Sequence, residues 1–372
     1  MKSQIITPND GYEYFFGYYD LQPYDDCQKF HLAHRVRFRD RHPNATDIAE
    51  IGYIDLATKR FVKLAETRSW NFQQGALLVW FESGKSVLFN DFDGEKHISR
   101  VVDMQGVELR RYDYALGSVS PDRTKGLAIN FNRIHDFRKG YGYSNIKDPF
   151  YGVKTPADDG IFLVDLQTGK GKLLASYADM ATAFQEEPFT TGKLVVNHIT
   201  FNPSGTGFVI LLRNFPVDTP KWGTVLAVGD LDGNFKKLTD FQVNSHYSFK
   251  GDGQIYIWSG LPEYGVYVFD TQTGERERLR TPVTDKGDIH VNCAPSGNCF
   301  IGDGYVEEGG VRSIYRYDFD KKEIEKLISV YSEPVTDTDI RCDLHARFAP
   351  DEHRISYDTT ENGKREIAQL IL

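Results

Sequence analysis

Four of the ten histidines occupy the same place in four successive repeats of the chain. Each begins an apolar segment that leads into a turn rich in Pro, Ser, Gly and Asp, and these residues are His198, His246, His290 and His345. Imidazoles that converge could bind a divalent metal, for which we consider Mn, Zn or Ca, or could exchange protons near neutral pH. The alternative is structural: each His bonds a neighbouring repeat.

A second group of reactive side chains lies in a long connection, residues 132–160. Between positions 132 and 147, four basic residues stand against one acidic residue, a net charge of +3 in a protein of net charge −9. Arginine binds carboxylates through paired hydrogen bonds, and tyrosine offers a stacking face and an acidic hydroxyl. We predict that this segment contacts an anionic ligand through Arg133, His135, Arg138, Tyr141 and Tyr143. An ordinary solvated loop is the alternative.

The segment WNFQQG, residues 70–75, is a third candidate. A Trp ring stacks on sugar faces, and Gln side chains donate and accept hydrogen bonds, so we predict that Trp70, Gln73 and Gln74 bind substrate. Arg341 is a further substrate-binding candidate, although Arg341 and Asp343 could equally form a structural ion pair. A buried Trp with amides that bridge repeats is the alternative for the first segment.

These residues need a scaffold that repeats, and the sequence has one. Six hairpin-like segments alternate with seven strand–turn units, which begin at Gly17, Gln74, Gly117, His198, His246, His290 and His345. This pattern predicts an all-β fold, a seven-bladed β-propeller of four-stranded antiparallel blades. The last unit is one strand short, so we expect the N-terminal segment to supply that strand and close the ring. A β-sandwich or two β domains is the alternative.

We therefore predict one propeller domain over residues 1–372, with the insert 132–160 over the mouth of its channel. The first strand of each blade lines that channel, so the four histidines would meet at one rim. A short helix is predicted at 177–187, where the sequence reads YADMATAFQEE.

Amino-acid composition and absent motifs exclude several classes of function. With 44 basic and 53 acidic residues, the chain lacks the positive charge that general binding to nucleic acids or anionic membranes requires. No apolar run is long enough to span a membrane and no secretory leader is evident, so we expect a cytoplasmic protein. The sequence contains no Walker loop, Rossmann glycine pattern, G-x-S-x-G or H-E-x-x-H, which disfavours a nucleotide cofactor and serine hydrolysis. A glycosidase with paired carboxylates remains open.

Several segments together resemble a bacterial propeller family that includes oligogalacturonate lyase and the ulvan lyases. They are FGYYD (16–20), WNFQQG (70–75), INFNRIHDFRKGYGY (129–143), NHITFNPSG (197–205), SHYSF (245–249) and DIRCDLHARFAPD (339–351). The resemblance covers nearly the whole chain. It differs at 346 and 348, where Ala and Phe replace an expected Pro and Trp, and at Arg347, where a second His of a His-x-His metal pair is expected.

The resemblance implies a lyase that cleaves uronic-acid-containing oligo- or polysaccharides by β-elimination. Such a reaction needs an Arg or a divalent metal to neutralise the substrate carboxylate, a base (His, Tyr or Arg) and an acid, often Tyr. It implies catalytic roles for Arg133, His135, Arg138 and Tyr143, and a channel site for the four histidines. A non-catalytic propeller that binds a glycan or a protein is the alternative.

Overall fold

A computed structural model describes residues 1–185, 192–215, 223–260, 262–281, 283 and 287–372. Their strands form seven sheets of four strands each. In six of these sheets the strands follow one another in chain order, which is the topology of a propeller blade. The predicted seven-bladed β-propeller is therefore confirmed. By its internal contacts the chain divides into a first unit, Met1–Gly94, Ser99–Arg111 and Gly287–Leu372, and a second unit, Glu95–Ile98 and Tyr112–Lys286.

The N-terminal part of the first unit contributes one strand to the last blade and forms the first two blades. Its strands, the last two of which extend slightly into the second unit, are Lys2–Ile5 (β1), Glu13–Phe15 (β2), Phe30–Val36 (β3), Ala49–Asp55 (β4), Arg60–Thr67 (β5), Val79–Glu82 (β6), Ser86–Phe92 (β7), His97–Asp103 (β8) and Glu108–Tyr112 (β9).

The second unit holds the third, fourth and fifth blades. Its strands are Leu116–Val119 (β10), Lys125–Ala128 (β11), Gly160–Asp165 (β12), Gly171–Ser176 (β13), Leu194–Phe201 (β14), Gly207–Asn214 (β15), Thr224–Asp230 (β16), Phe235–Lys237 (β17), Asn244–Lys250 (β18), Gln254–Ser259 (β19), Gly265–Asp270 (β20) and Arg276–Leu279 (β21).

The C-terminal part of the first unit forms the sixth blade and most of the seventh. Its strands are Ile289–Cys293 (β22), Cys299–Gly304 (β23), Val311–Asp318 (β24), Glu323–Tyr331 (β25), Arg347–Phe348 (β26), Arg354–Thr359 (β27) and Glu366–Ile371 (β28). A 3-10 turn, Thr338–Ile340, precedes β26.

Sequence pattern separates inner strands from outer strands within each blade. The strand β15 reads GFVILLRN and is buried along almost its whole length, because sheets pack against both of its faces. The fourth strand of the second blade, β9, reads ELRRY and exposes its first four residues. Continuous apolar strands therefore mark the packed interior of a blade, and charged strands mark its outer edge.

The D-x-x-x-G hairpins owe their regularity to one turn geometry. Oδ1 of Asp165 accepts hydrogen bonds from the backbone N–H groups of Gln167 at 2.9 Å and Thr168 at 2.7 Å. Gly169 then adopts a φ of +74°, a conformation that favours glycine. Asp270 and Gly274 repeat this arrangement in the fifth blade, with a φ of +79° at the glycine. The turn thus fixes the register of the third and fourth strands.

The N-terminal strand completes the last blade. Strand β1 pairs antiparallel with β28, and Lys2 faces Ile371 while Ile5 faces Ala368. The seventh sheet consequently has the order β1-β28-β27-β26. This pairing agrees with the predicted closure by the N-terminal strand and leaves no exposed edge on β28.

The opening of the first blade differs from the prediction. Residues 17–26 were expected to contain a strand, but the inner strand is β2, which ends at Phe15, and Tyr24 alone forms a further bridge, with His31. Gly17 has a φ of +128° and Pro23 has no N–H to donate, so the backbone leaves the sheet between them. This excursion brings the backbone carbonyl groups of residues 17–19 to the side chains of other blades in the first unit.

The insert 132–160 is partly helical, which the sequence did not reveal. A helix, Phe131–Phe137 (α1), begins at Asn130, whose side chain accepts the N–H of Arg133, and a 3-10 turn follows at Lys139–Tyr141. The second predicted helix is Tyr177–Phe184 (α2), and Ser176 and Asp179 form a capping box at its start. Residues 186 and 187 of that prediction lie outside the described residues. None of the helices in the described part of the chain is long and apolar enough to cross a membrane.

Candidate functional site

Two of the predicted histidines meet in the first unit. His290 lies on β22 opposite Asp303 of β23, and His345 lies just before β26. Their rings are edge to face, with 4.6 Å between centroids and 85° between planes. His345 has a φ of +44°, which is uncommon for a residue other than glycine and clusters at functional sites.

Hydrogen bonds fix the tautomer of both rings. Nδ1 of His290 faces Oδ2 of Asp303 at 3.1 Å, and Nδ1 of His345 faces the carbonyl oxygen of Gly17 at 2.8 Å. A carboxylate or a carbonyl oxygen can only accept, so each Nδ1 carries the proton. In both rings, Nε2 is therefore the nitrogen that could bind a cation. Nε2 of His345 is buried and accepts no hydrogen bond from the described residues.

A buried carboxylate lies beside the two rings. Asp343 is fully buried and forms ion pairs with Arg312 at 2.8 Å and with Arg341 at 2.7 Å. Burial alone would raise the pKa of Asp343, but the two guanidinium groups outweigh it and lower that pKa well below its usual range. The Arg341–Asp343 ion pair that the sequence suggested is thus present, as part of a larger cluster.

Both arginines are held in place on their other side. Arg312 donates to the carbonyl oxygen of Gly304 at 3.0 Å and to the hydroxyl of Ser332 at 3.1 Å. Arg341 donates to the carbonyl oxygen of Thr338 at 2.6 Å, in the turn before β26. The position of Asp343 is consequently fixed by two anchored cations.

His290, Asp343 and His345 each offer one ligand atom, and these three atoms lie within 4.8 Å of one another. We call this group the His–Asp cluster. Two imidazoles and a carboxylate form a donor set that suits Mn, Fe or Zn. Histidines that ligate a metal commonly donate their second N–H to a carboxylate or a backbone carbonyl, as both do here. The cluster therefore fits a divalent transition metal better than Ca, which prefers oxygen ligands.

Electrostatics distinguishes the two imidazoles. Burial would lower the pKa of His290, but the adjacent Asp303 carboxylate outweighs it and raises that pKa. The pKa of His345 is lowered, first by burial and then by the nearby His290. The adjacent His290 in turn holds the pKa of Asp303 at about 2, against the effect of burial on that carboxylate. The two imidazoles therefore differ in proton affinity, which is higher at His290 beside Asp303 and lower at His345.

The excursion of the first blade forms one wall of the His–Asp cluster. Arg347 donates to the carbonyl oxygens of Gly17 at 2.5 Å and Tyr18 at 3.1 Å, and it pairs with Asp358 at 3.3 Å. The ring centroid of Tyr19 is 5.3 Å from that of His290. The resemblance placed a second histidine at 347, but the guanidinium there binds the wall instead.

The other two predicted metal ligands, His198 and His246, belong to the second unit. The ring of His198 is 4.9 Å from that of Tyr247 between centroids, and Nδ1 of His246 is 3.1 Å from the hydroxyl of Ser245. Both histidines adjoin β-bulges, where β14 and β18 each shift register against the next strand. A site shared by all four histidines stays a prediction.

Among the predicted residues of the insert, Arg133 makes its contacts inside the second unit. It is fully buried and donates to the carbonyl oxygens of Leu194 at 2.5 Å and Lys154 at 2.6 Å, and it pairs with Asp148 at 3.2 Å. Its guanidinium also lies 4.7 Å from the ring centroid of Tyr177. These contacts hold the insert on the second unit.

The remaining insert residues differ in exposure. Tyr143 is buried and stacks on Phe131 at 4.4 Å between centroids, whereas His135 and Arg138 are half-buried. The guanidinium of Arg138 lies over the ring of Tyr141, which is buried, at 4.4 Å from its centroid. His135 and Arg138 are thus the members of this group that a ligand could reach directly.

The WNFQQG segment is largely structural in its contacts. Trp70 is buried, donates to the carbonyl oxygen of Asp47 at 3.0 Å, and packs edge to face on Phe72. Gln73 is buried and donates to the carbonyl oxygen of Arg341 at 3.0 Å. Gln74 is half-buried. Gln73 therefore links this segment to the stretch before β26 that carries Asp343 and His345.

Sequence reasoning missed three residues of the cluster region. Asp303 lies on β23, which reads CFIGDG, and Arg312 lies on β24, which reads VRSIYRYD, so no local pattern marks either residue. Tyr305 follows β23 in a loop, where nothing in the local pattern distinguishes it from other tyrosines.

Comparisons with known proteins agree with this architecture. An oligogalacturonate lyase in complex with manganese superposes with a TM-score of 0.69 at 15% identity, over 100% of this chain and 93% of that chain. An oligogalacturonate lyase from Vibrio parahaemolyticus gives a TM-score of 0.68 at 16% identity, over 99% and 92%. A chain of the mitotic checkpoint complex gives 0.54 at 10% identity, over 100% and 93%.

No family model matches the sequence, and no curated protein matches it. At these identities the solved structures show a shared propeller fold.

Proposed function

We propose that the protein is a carbon–oxygen lyase that cleaves uronic-acid-containing oligosaccharides by β-elimination and holds a divalent metal in the His–Asp cluster. The observation that carries this proposal is the convergence of His290, Asp343 and His345 within 4.8 Å. Two proteins that share the fold are named oligogalacturonate lyases, and one is described in complex with manganese.

The charges of the cluster support an anionic ligand. Asp303 and Asp343 carry two negative charges, which Arg312 and Arg341 balance. With neutral imidazoles the group is neutral, so a divalent cation would leave two uncompensated positive charges in a buried place. A substrate carboxylate would compensate one of these two charges, and burial strengthens that attraction.

The bond changes of the reaction balance without an oxidant or a reductant. A base removes the proton on the carbon next to the carboxylate, the carbon–oxygen bond to the leaving sugar breaks, and a carbon–carbon double bond forms. The leaving oxygen takes a proton from an acid. A metal bound in the cluster would supply charge stabilisation for the carboxylate as the proton leaves.

The catalytic roles predicted for the residues of the insert stay a proposal for the second unit taken by itself, with roles divided by their exposure. His135 and Arg138 are half-buried, and we propose them as the groups that exchange protons or contact the ligand. Arg133 and Tyr143 are buried in contacts within the second unit, and we propose that they position the loop that carries the other two.

The decisive test incubates the purified protein, with and without Mn²⁺, with oligosaccharides from pectin, ulvan and glycosaminoglycans. Turnover appears as the ultraviolet absorbance of an unsaturated uronide. We expect Mn²⁺-dependent product from at least one uronate substrate, and none after His345→Ala. Binding without product on all three would instead establish a glycan-binding propeller.

A further inference from the structure

The His–Asp cluster is sealed from solvent. His290 is 1% exposed, Asp343 2% and His345 2%. A ligand or a metal ion must nevertheless reach these groups if they bind one. Some side chain between the cluster and solvent therefore has to move.

Tyr305 is the exposed residue that lies over this group of side chains. Its ring centroid is 6.3 Å from that of His290, and the guanidinium carbons of Arg341 and Arg312 lie 5.1 Å and 5.8 Å from the same centroid. Yet Tyr305 itself is 40% exposed. One face of the cluster is thus covered by a ring that borders on solvent.

The backbone that follows Tyr305 forms a tight turn. Tyr305 follows the end of β23, and Val306 beside it is also exposed. Gly309 and Gly310 then turn the chain with φ values of +85° and +74°. Backbone hydrogen bonds hold this turn, since the N–H of Glu307 donates to the carbonyl oxygen of Val311 at 2.7 Å and the N–H of Gly310 donates to that of Glu307 at 3.1 Å. The gate therefore needs rotation of the exposed Tyr305 side chain, which is fast at a surface, and no opening of the backbone.

We propose that Tyr305 is the gate residue of the His–Asp cluster: its ring covers His290, and an incoming ligand passes His290 to reach His345 when that ring swings away. The identity of the ligand as a uronate rests on the proposed function, whereas the gate does not. Contacts between the ring and two guanidinium groups hold the gate closed, and each such contact is weak enough to be exchanged.

The experiment measures access to the imidazole of His345 in chelator-treated protein. Diethyl pyrocarbonate acylates an imidazole nitrogen that has a lone pair, and mass spectrometry of peptides gives the rate at each histidine. Exposed His353 reports reagent activity, and fully buried His31 reports global opening. Neither turnover nor bound metal is needed, so a failed lyase assay and a failed gate are distinguishable.

We expect Tyr305→Ala to accelerate modification of His345 by about tenfold or more, because the covering ring is gone. Tyr305→Phe keeps the ring and should stay within about twofold of the unmodified protein. Tyr264→Ala is the control for removing an exposed tyrosine ring, since Tyr264 is 54% exposed and belongs to the second unit. It should leave the rate unchanged.

Equal rates at His345 in Tyr305→Ala and in the unsubstituted protein would overturn the gate. A parallel rise at His31 would also count against it, because the substitution would then have opened the whole unit.

Discussion

The backbone carbonyl oxygen of Gly17 accepts the Nδ1 proton of His345 at 2.8 Å, which ties the first blade to a side chain of the last. The same oxygen accepts a hydrogen bond from Arg347. The orientation of His345 thus depends on a backbone excursion that begins at a glycine. It follows that this glycine matters to the cluster although it has no side chain.

Gly17→Ala should lower the free energy of unfolding by about 1–3 kcal/mol, because φ is +128° and a Cβ would lie 2.9 Å from the carbonyl oxygen of Gln74. Chemical denaturation measures the change. Gly94→Ala is the control, since φ there is +111° but a Cβ would meet nothing within 4 Å. An equal loss in both variants would show that the close approach to Gln74 is unimportant.

Metal content should depend on the His–Asp cluster. We expect the His345→Ala variant, after loading with Mn²⁺, to hold no stoichiometric metal in elemental analysis, because one of three donors is lost. His198→Ala and His246→Ala address the wider prediction of a site with four histidines. Loss of metal in those variants as well would support the four-histidine site, and retention would confine the metal to the cluster.

Asp303→Asn should weaken Mn²⁺ binding about 10–100-fold, because the carboxylate that orients His290 through a 3.1 Å hydrogen bond is replaced by a neutral amide. Titration followed by electron paramagnetic resonance of free Mn²⁺ gives the dissociation constant. Asp122→Asn, in an exposed turn of the second unit, serves as the control for removing a carboxylate. Unchanged affinity in Asp303→Asn would contradict the assignment of His290 as a ligand.

Two arginines of the insert should behave in opposite ways. Arg133→Ala should cost about 3–5 kcal/mol of stability, because it leaves the buried Asp148 without its closest ion-pair partner. Arg138→Ala should cost less than about 1 kcal/mol, since Arg138 is half-buried, but should reduce turnover if the proposed function holds. Thermal unfolding and product formation are measured on both. A stable Arg133→Ala variant without activity would restore a catalytic role to Arg133.

Removing β1 should lower the melting temperature of the first unit by several degrees, because Lys2–Ile5 supplies the edge strand of the last blade. Differential scanning calorimetry on protein lacking residues 1–5 measures the shift. Removal of Met1 alone, which lies outside the strand, is the control. An unchanged transition would show that β28 is stable as an edge.

The repeat pattern predicted the propeller well because short segments of sequence determine the blade architecture. Examples are turns such as Asp165–Gly169 and the apolar inner strands. The cluster was only partly predictable. His290 and His345 were found since they recur at one repeat position, but Asp303 and Arg312 become meaningful only when strands pair. No local pattern shows that the carbonyl of Gly17 reaches His345, because that contact joins distant parts of the sequence.

The pairing of β1 with β28 has a consequence for synthesis on the ribosome. Strand β1 emerges early, but its partner Glu366–Ile371 follows only after the whole second unit has been translated. The first unit therefore cannot finish folding until its last residues have been synthesised. Before that point the carbonyl oxygen of Gly17 also lacks its hydrogen bond from His345. During that interval the first blade lacks its contacts with the last blade, and incompletely packed strands are prone to aggregation.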